Sequence, residues 1–130
     1  MADFEILVIG AGPGGYVAAI RSAQLGFSTA IVERETVGGV CLNWGCIPSK
    51  SLLRNAEVLN LVKDAEKFGI SFDNLSYDFG KAIDRSRQVV RRLTTGVGYL
   101  LKKNNVVHIE GSASFVDAHT VQISTTTGEN

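Results

Sequence analysis

A chain of 130 residues, 45% hydrophobic and 20% charged, has the mix of a globular protein and enough length for one modest core. Its 13 basic and 13 acidic side chains cancel, which leaves no electrostatic case for nucleic acid or an anionic membrane surface as partner. The opening "MADFEILVIGAGPGG" lacks a basic stretch ahead of its apolar run, and no run is long enough to cross a bilayer, so the expected location is cytoplasmic.

In chain order, "FEILVIG" (4–10) reads as a buried parallel strand that ends in glycine. "GGYVAAIRSAQLGF" follows as a helix with a small-residue face, closed by Gly26. "STAIVE" (28–33) is a second strand, so the first quarter of the chain is one strand–helix–strand unit. Residues 34–47 read as irregular. Pro48 suits the first turn of a helix that runs to Gly69, with Leu52, Ala56, Leu59 and Val62 inward. Residues 70–78 read as a loop. A second long helix is expected over 79–103, with Val89, Leu93, Val97 and Leu100 as its inner stripe and Arg85, Arg87, Arg91 and Arg92 on a solvated face. "NNVVHIEGSASFVDAHTVQIST" (104–125) reads as strand, glycine turn, strand, turn, strand, and "TTTGEN" as the turn of a further hairpin. The expected class is α/β: a Rossmann-like unit, a helical excursion and a β-hairpin or meander. One such unit does not close a doubly wound sheet, so the chain is expected to be the amino-terminal part of a larger protein.

Two stretches carry chemistry. "GAGPGG" places Gly10, Gly12 and Gly15 in G-x-G-x-x-G order, directly after a strand and opening a helix. Gly10 makes the tight turn, Gly12 admits a pyrophosphate against the backbone, and Gly15 lets helix and strand pack closely. The free amides of the helix start face the phosphates. Glu33 ends the next strand, where a carboxylate accepts hydrogen bonds from ribose hydroxyls. A glycine turn without a ligand, beside an exposed glutamate, is the plain alternative.

"GGVCLNWGCIPSK" (38–50) holds both cysteines of the chain, five residues apart. In a regular helix they point about 140° apart, beyond the reach of a disulfide. A bridge therefore needs distorted backbone, which Gly38, Gly39, Asn43 and Gly45 tolerate. Cys46 stands at a helix entry with Lys50 one turn later, and both favour a thiolate. In a reducing compartment such a pair is catalytic or metal-binding, and the absence of a second Cys/His cluster weakens the metal reading. Two inert buried cysteines remain the alternative. A dithiol beside a dinucleotide site calls for a cofactor that exchanges electrons with sulfur, which favours a flavin.

Taken together, the glycine loop, Glu33 and the cysteine motif resemble the amino-terminal FAD-binding region of the flavin disulfide reductases. The "CLNxGCIPSK" form is most similar to that of the dihydrolipoyl dehydrogenase members, and mercuric and glutathione reductases carry related forms. The resemblance covers essentially all 130 residues. It implies an incomplete three-layer FAD/NAD(P)-binding fold, with the second FAD segment, the NAD domain and the dimerisation domain absent. It also implies that Cys41 is the interchange thiol, Cys46 the charge-transfer thiol, and Lys50 a cation near the flavin N5 edge. FAD contacts are implied for Gly10, Gly12, Pro13, Gly14 and Gly15, for Glu33 and Arg34, for Gly38, Gly39 and Val40, for Cys41, Cys46 and Lys50, and for Ala113 at the adenine end. Val40 stands where many relatives have threonine. Trp44 is expected to pack or lie on the surface. The catalytic histidine of such enzymes comes from a partner subunit, so His108 and His119 are expected to be structural or surface residues. The implied whole is a homodimer that oxidises dihydrolipoyl groups of 2-oxoacid dehydrogenase complexes and passes electrons to NAD. The 130 residues alone are expected to be inactive. A flavin reductase for another disulfide or for mercuric ion, or a non-catalytic nucleotide-binding fragment, are the alternatives.

Overall fold

The computed structural model describes residues 2–125. Within them the chain forms β1 (Ile6–Ile9), α1 (Pro13–Gln24), β2 (Thr29–Glu33), α2 (Gly39–Asn43) and α3 (Cys46–Lys63), then a 3-10 turn (Ala65–Phe68), α4 (Phe79–Lys103), β3 (Val107–Phe115) and β4 (Val121–Thr125). The strands lie side by side in chain order. β1 and β2 run parallel, Ile6 opposite Thr29 and Ile9 opposite Val32, as a helical crossover requires. β3 adds parallel to β2, with Ala30 opposite Val107 and Glu33 opposite Glu110. β2 thus has a neighbour on both sides, and Thr29 to Val32 are all buried, which is why it reads as a continuous apolar run. This is the expected α/β unit with helical excursion and hairpin.

Ala11, Ala19, Ile31, Leu42, Val97, Leu101 and Val106 form the core. It gathers the glycine loop, α1, β2, α2 and α4 around one point, each buried aliphatic side chain contributing about 1.5–3 kcal/mol. The small-residue face of α1 lets it lie close to the sheet, and Ala19 is fully enclosed. Gly26, at φ +96°, turns the chain out of α1 as expected, its amide donating to the Ala23 carbonyl at 3.0 Å.

Several expectations fail in instructive ways. Residues 34–47 are not wholly irregular, since α2 is a helical turn inside them. Five residues are too few to hold a helix by backbone bonds alone; burial of Leu42 in the core supplies what local sequence does not. α3 starts at Cys46 rather than Pro48, which sits in the first turn where its missing N–H costs no hydrogen bond. α3 also stops at Lys63, and the 3-10 turn carries the chain to Gly69 at φ +71°. α4 spans 79–103 as expected, with Asp78 accepting from the Lys81 amide at 3.1 Å. Its inner face is rotated, however: Ala82, Ser86, Val90, Val97 and Leu101 are buried, while Leu93 and Leu100 are exposed. Arg85 does not merely face solvent. Its guanidinium donates to Ser51 Oγ at 2.9 Å and to Asn55 Oδ1 at 3.4 Å, tying α4 to α3.

The turn expected at Gly111 is absent. β3 runs straight through it, and there the strand changes partners. From Gly111 opposite Thr125 to Phe115 opposite Val121 it pairs antiparallel with β4. The residue is glycine because a Cβ would stand 2.7 Å from the Ser124 carbonyl oxygen. The turn that closes the hairpin comes later, with the Val116 amide on the Thr120 carbonyl at 2.9 Å. Of the turn expected in "TTTGEN" (125–130), Thr125 ends β4 and the rest lies outside the described residues.

Candidate functional site

The glycine loop lies between the end of β1 and the start of α1. Gly10, at φ +93°, continues the ladder by donating its amide to the Val32 carbonyl at 2.7 Å. Gly15 permits the close approach: a Cβ there would stand 1.8 Å from the Gly10 carbonyl oxygen. Ala11 is buried beneath the loop. α1 begins at Pro13 with Gly12 as N-cap, no side chain caps it, and its first turn holds no acidic residue. Its first amides therefore lack intrahelical partners and sit at the positive end of the dipole. Gly12 and Gly14 are informative for the opposite reason to Gly15, because a Cβ on either meets nothing within 4 Å. Packing within the chain does not require glycine there. A group lying against the loop from outside would require it at Gly12, the second glycine of the fingerprint.

Glu33, at the end of β2, reaches back under this loop. One carboxylate oxygen accepts the Ala11 amide at 2.8 Å and the other accepts the Glu35 amide at 3.0 Å. Two bonds leave lone pairs on both oxygens. A cleft of about 270 Å³ opens beside it, lined by Gly10, Glu33, Arg34, Gly111, Ser112 and Ala113 among others. Arg34 is exposed and meets Glu35 at 3.4 Å. Thus the loop, the acid and the expected adenine-end residue Ala113 share one wall, and the change of partner at Gly111 is what brings Ala113 there. A larger hollow of about 360 Å³ lies at the other ends of the strands, by Phe4, Glu5, Phe27 and Asn105, away from this chemistry.

The cysteine segment is fastened to the glycine loop. The Gly38 amide donates to the Ala11 carbonyl at 2.8 Å. Gly38 and Gly39 have φ of +99° and +56°. A Cβ on Gly39 would stand 2.9 Å from Gly12 Cα, so the two motifs touch backbone to backbone. α2 then carries Cys41, with Val40 70% exposed before it. The break into α3 is made at the Val40 carbonyl, which accepts both the Trp44 amide at 2.9 Å and the Gly45 amide at 2.7 Å. The second of these is an i+5 closure, a device found at functional kinks, and it is the distortion that the cysteine spacing demands.

Beyond this kink stands Cys46, the first residue of α3, with Lys50 exposed one turn on. Both cysteines are free thiols; Cys41 is half-buried against the core and Cys46 is exposed. They are neighbours. A hydrogen bond with Cys46, then partial burial and the charge of Cys46, push the Cys41 thiol above its ordinary range, and the Cys46 amide and Lys50 oppose this. The two sulfurs are therefore in unequal settings, Cys41 set partly into the fold and Cys46 open to solvent. Trp44 is exposed, as are His108 and His119, in line with their expected surface positions. Among the described residues no group of His, Cys, Asp or Glu is arranged to hold a metal ion, and no helix is long and apolar enough to cross a membrane.

Sequence reasoning missed two contributors. Asn43 enters only as a residue that tolerates unusual backbone. Its backbone is in fact helical, and its buried side-chain amide donates to the Val37 carbonyl at 3.2 Å and the Gly39 carbonyl at 2.9 Å. The Arg85–Ser51 contact, which holds α3 behind the cysteines, gave no periodic signal either.

Comparison with known proteins agrees with this geometry. The family described as pyridine nucleotide-disulphide oxidoreductase matches residues 4–130. A dihydrolipoyl dehydrogenase of Mycobacterium tuberculosis is 54% identical over 129 residues, 98% of this chain and 28% of the relative. That of Geobacillus stearothermophilus is 52% identical over 121 residues, 93% of this chain and 26% of its own length. Among solved structures, the Cu(II) complex of the HOCl-induced flavoprotein disulfide reductase RclA from Escherichia coli superposes with a TM-score of 0.74 at 29% identity. It covers 92% of this chain and 24% of that one. The chain thus spans about a quarter of the length of these proteins. A match that takes in nearly every residue, including the glycine loop and the cysteine pair fastened to it, shows that this chain belongs to the pyridine nucleotide-disulphide oxidoreductases.

Proposed function

We propose that these 130 residues are the amino-terminal part of the FAD-binding domain of a dihydrolipoyl dehydrogenase and supply its redox-active dithiol. The observation that carries the reading is the join between the two motifs: Gly39 on Gly12, and the Gly38 amide on the Ala11 carbonyl. It supports a site in which two thiols, one half-buried and one exposed, adjoin a glycine loop whose open side suits a dinucleotide. FAD, when bound, would supply the two-electron acceptor next to the dithiol.

Gly12, Pro13, Gly14 and the first amides of α1 hold the pyrophosphate, with Gly15 and Gly10 fixing the loop behind them. Glu33 takes the adenosine ribose and disfavours a ribose phosphate, and Arg34 and Ala113 border the adenine end. Gly38, Gly39 and Val40 face the middle of the cofactor. With the pair oxidised, a dihydrolipoyl thiolate attacks the Cys41 sulfur, the Cys41–Cys46 bond breaks, and Cys46 leaves as a thiolate. The second substrate thiol then attacks the mixed disulfide, lipoyl disulfide departs, and Cys41 takes up a proton. Two electrons now rest on the dithiol. Lys50 offsets the negative charge of Cys46 in this state. In the whole enzyme the electrons go on to NAD; the substrate is the lipoyl domain of a 2-oxoacid dehydrogenase complex, the assembly is a homodimer, and the setting is the cytoplasm, where the enzyme serves cell redox homeostasis.

Titration of the chain with FAD, followed by quenching of Trp44, the sole tryptophan, tests the reading. Saturable quenching that weakens in Glu33→Gln but not in Glu35→Gln is expected, with no NADH formed from dihydrolipoamide and NAD by the chain alone. Absence of saturable FAD binding overturns it.

A further inference from the structure

The geometry points to Asn43 as a positioning residue for the Cys41–Cys46 dithiol, a role that rests on the redox reading above and deepens it. Cys41 lies midway between Gly39 and Asn43 on α2, a helix of only five residues. Nothing local makes so short a helix persist. Its amino-terminal end is a pair of left-handed glycines, Gly38 and Gly39, pressed on the glycine loop. Its carboxy-terminal end is the kink at the Val40 carbonyl. Asn43 joins these ends. Its side chain is 8% exposed and folds back along α2, and one Nδ2 group donates to Val37 O at 3.2 Å and Gly39 O at 2.9 Å. Val37 is itself packed on the core. The amide therefore pins the turn that seats Gly39 on Gly12, and with it the height of Cys41 relative to Cys46.

The geometry of the turn decides how readily the sulfurs meet. Oxidation removes a hydrogen from each thiol, forms one S–S bond and reduces one glutathione disulfide to two glutathione molecules. The equilibrium constant for this exchange measures how well the folded chain presents the two sulfurs. Asn43→Ala removes both bonds. Asn43→Ser keeps one, because a serine hydroxyl can donate to the carbonyl four residues earlier, here Gly39, but cannot reach Val37.

The test is the fraction of intramolecular disulfide in the 130-residue chain across glutathione redox buffers, read by mass after alkylation. Val90→Ala serves as a comparison; Val90 is buried in α4 and is no partner of Asn43, so its replacement destabilises the fold while leaving both Asn43 bonds in place. Each lost bond to a buried partner is worth roughly a tenfold change in an equilibrium constant. The exchange constant is therefore expected to fall about tenfold in Asn43→Ser and further in Asn43→Ala, with Val90→Ala near wild type. Constants for both Asn43 variants equal to that of Val90→Ala overturn the assignment. Asn43→Ser carries the test if Asn43→Ala does not fold. A wild-type chain that forms no intramolecular disulfide in any buffer overturns the redox reading itself and this one with it.

Discussion

Replacing Gly15 by alanine asks whether the close approach of α1 to β1 is what holds the glycine loop. The added Cβ would stand 1.8 Å from the Gly10 carbonyl oxygen, whereas carbon–oxygen contacts ordinarily lie at about 3.3 Å or more. Roughly 1.5 Å must therefore be found by moving α1 away from the loop or twisting the Gly10 peptide. Overpacking of this kind costs about 1–3 kcal/mol. Alanine at a helical position returns up to about 1 kcal/mol, so the net loss is on the order of 1–2 kcal/mol. Gly14 is the matched comparison: it is the adjacent residue in the same first turn, but its Cβ meets nothing within 4 Å. Gly14→Ala should therefore leave the free fold unchanged or slightly stabilised. Urea unfolding followed by circular dichroism separates the two. With a slope of about 1–3 kcal/mol per molar, the Gly15→Ala midpoint should fall by roughly 1 M and the Gly14→Ala midpoint should not fall. Equal midpoints for the two variants would refute the reasoning. So would an unshifted Gly15→Ala.

The thiol pair gives a pH prediction. Cys46 raises the Cys41 thiol and Lys50 lowers it, so the midpoint of the pH–rate profile for Cys41 alkylation should move down in Cys46→Ala and up in Lys50→Ala. The same upward shift stabilises the reduced fold below the unfolded thiol value of about 8.5, and this contribution fades as pH rises through the higher folded value. Cys41→Ser should flatten that part of the urea-midpoint profile. Among the arginines of α4, Arg85→Ala should cost about 0.5–1.5 kcal/mol through its lost bond to Ser51, while Arg87→Ala and Arg91→Ala should stay within about 0.5 kcal/mol; thermal unfolding of the three would check this.

The strand–loop–helix–strand unit was legible because each of its parts is specified within a few residues. An apolar run ends in a glycine with a forced dihedral angle, a proline opens the helix, and Gly26 closes it. The distorted backbone of the cysteine segment was legible for the same reason. What was not legible depends on residues distant in sequence. α2 exists because Leu42 reaches the core and Asn43 reaches Val37. The inner face of α4 is set by what α3 and α2 present to it, so an apolar stripe containing Leu93 and Leu100 was a reasonable reading of a helix whose buried positions include Ala82 and Ser86. At Gly111 the residue was rightly marked as special. Glycine inside a strand is compatible with a turn or with a close backbone neighbour, and only the position of Ser124 decides for the second.

The contact between Gly12 and Gly39 is lopsided. A Cβ on Gly39 strikes Gly12, and its φ of +56° disfavours any side chain, yet a Cβ on Gly12 strikes nothing. Tolerance to substitution should therefore divide along that line. Gly39 answers to the fold and should resist replacement even in a selection for expression alone. Gly12 does not answer to packing within the chain and, on the proposed reading, should drift freely once binding is no longer selected. Grafting the dithiol onto another dinucleotide-binding protein would accordingly require the left-handed glycine turn to travel with the cysteines, because a recipient loop offers a seat and cannot supply what sits in it.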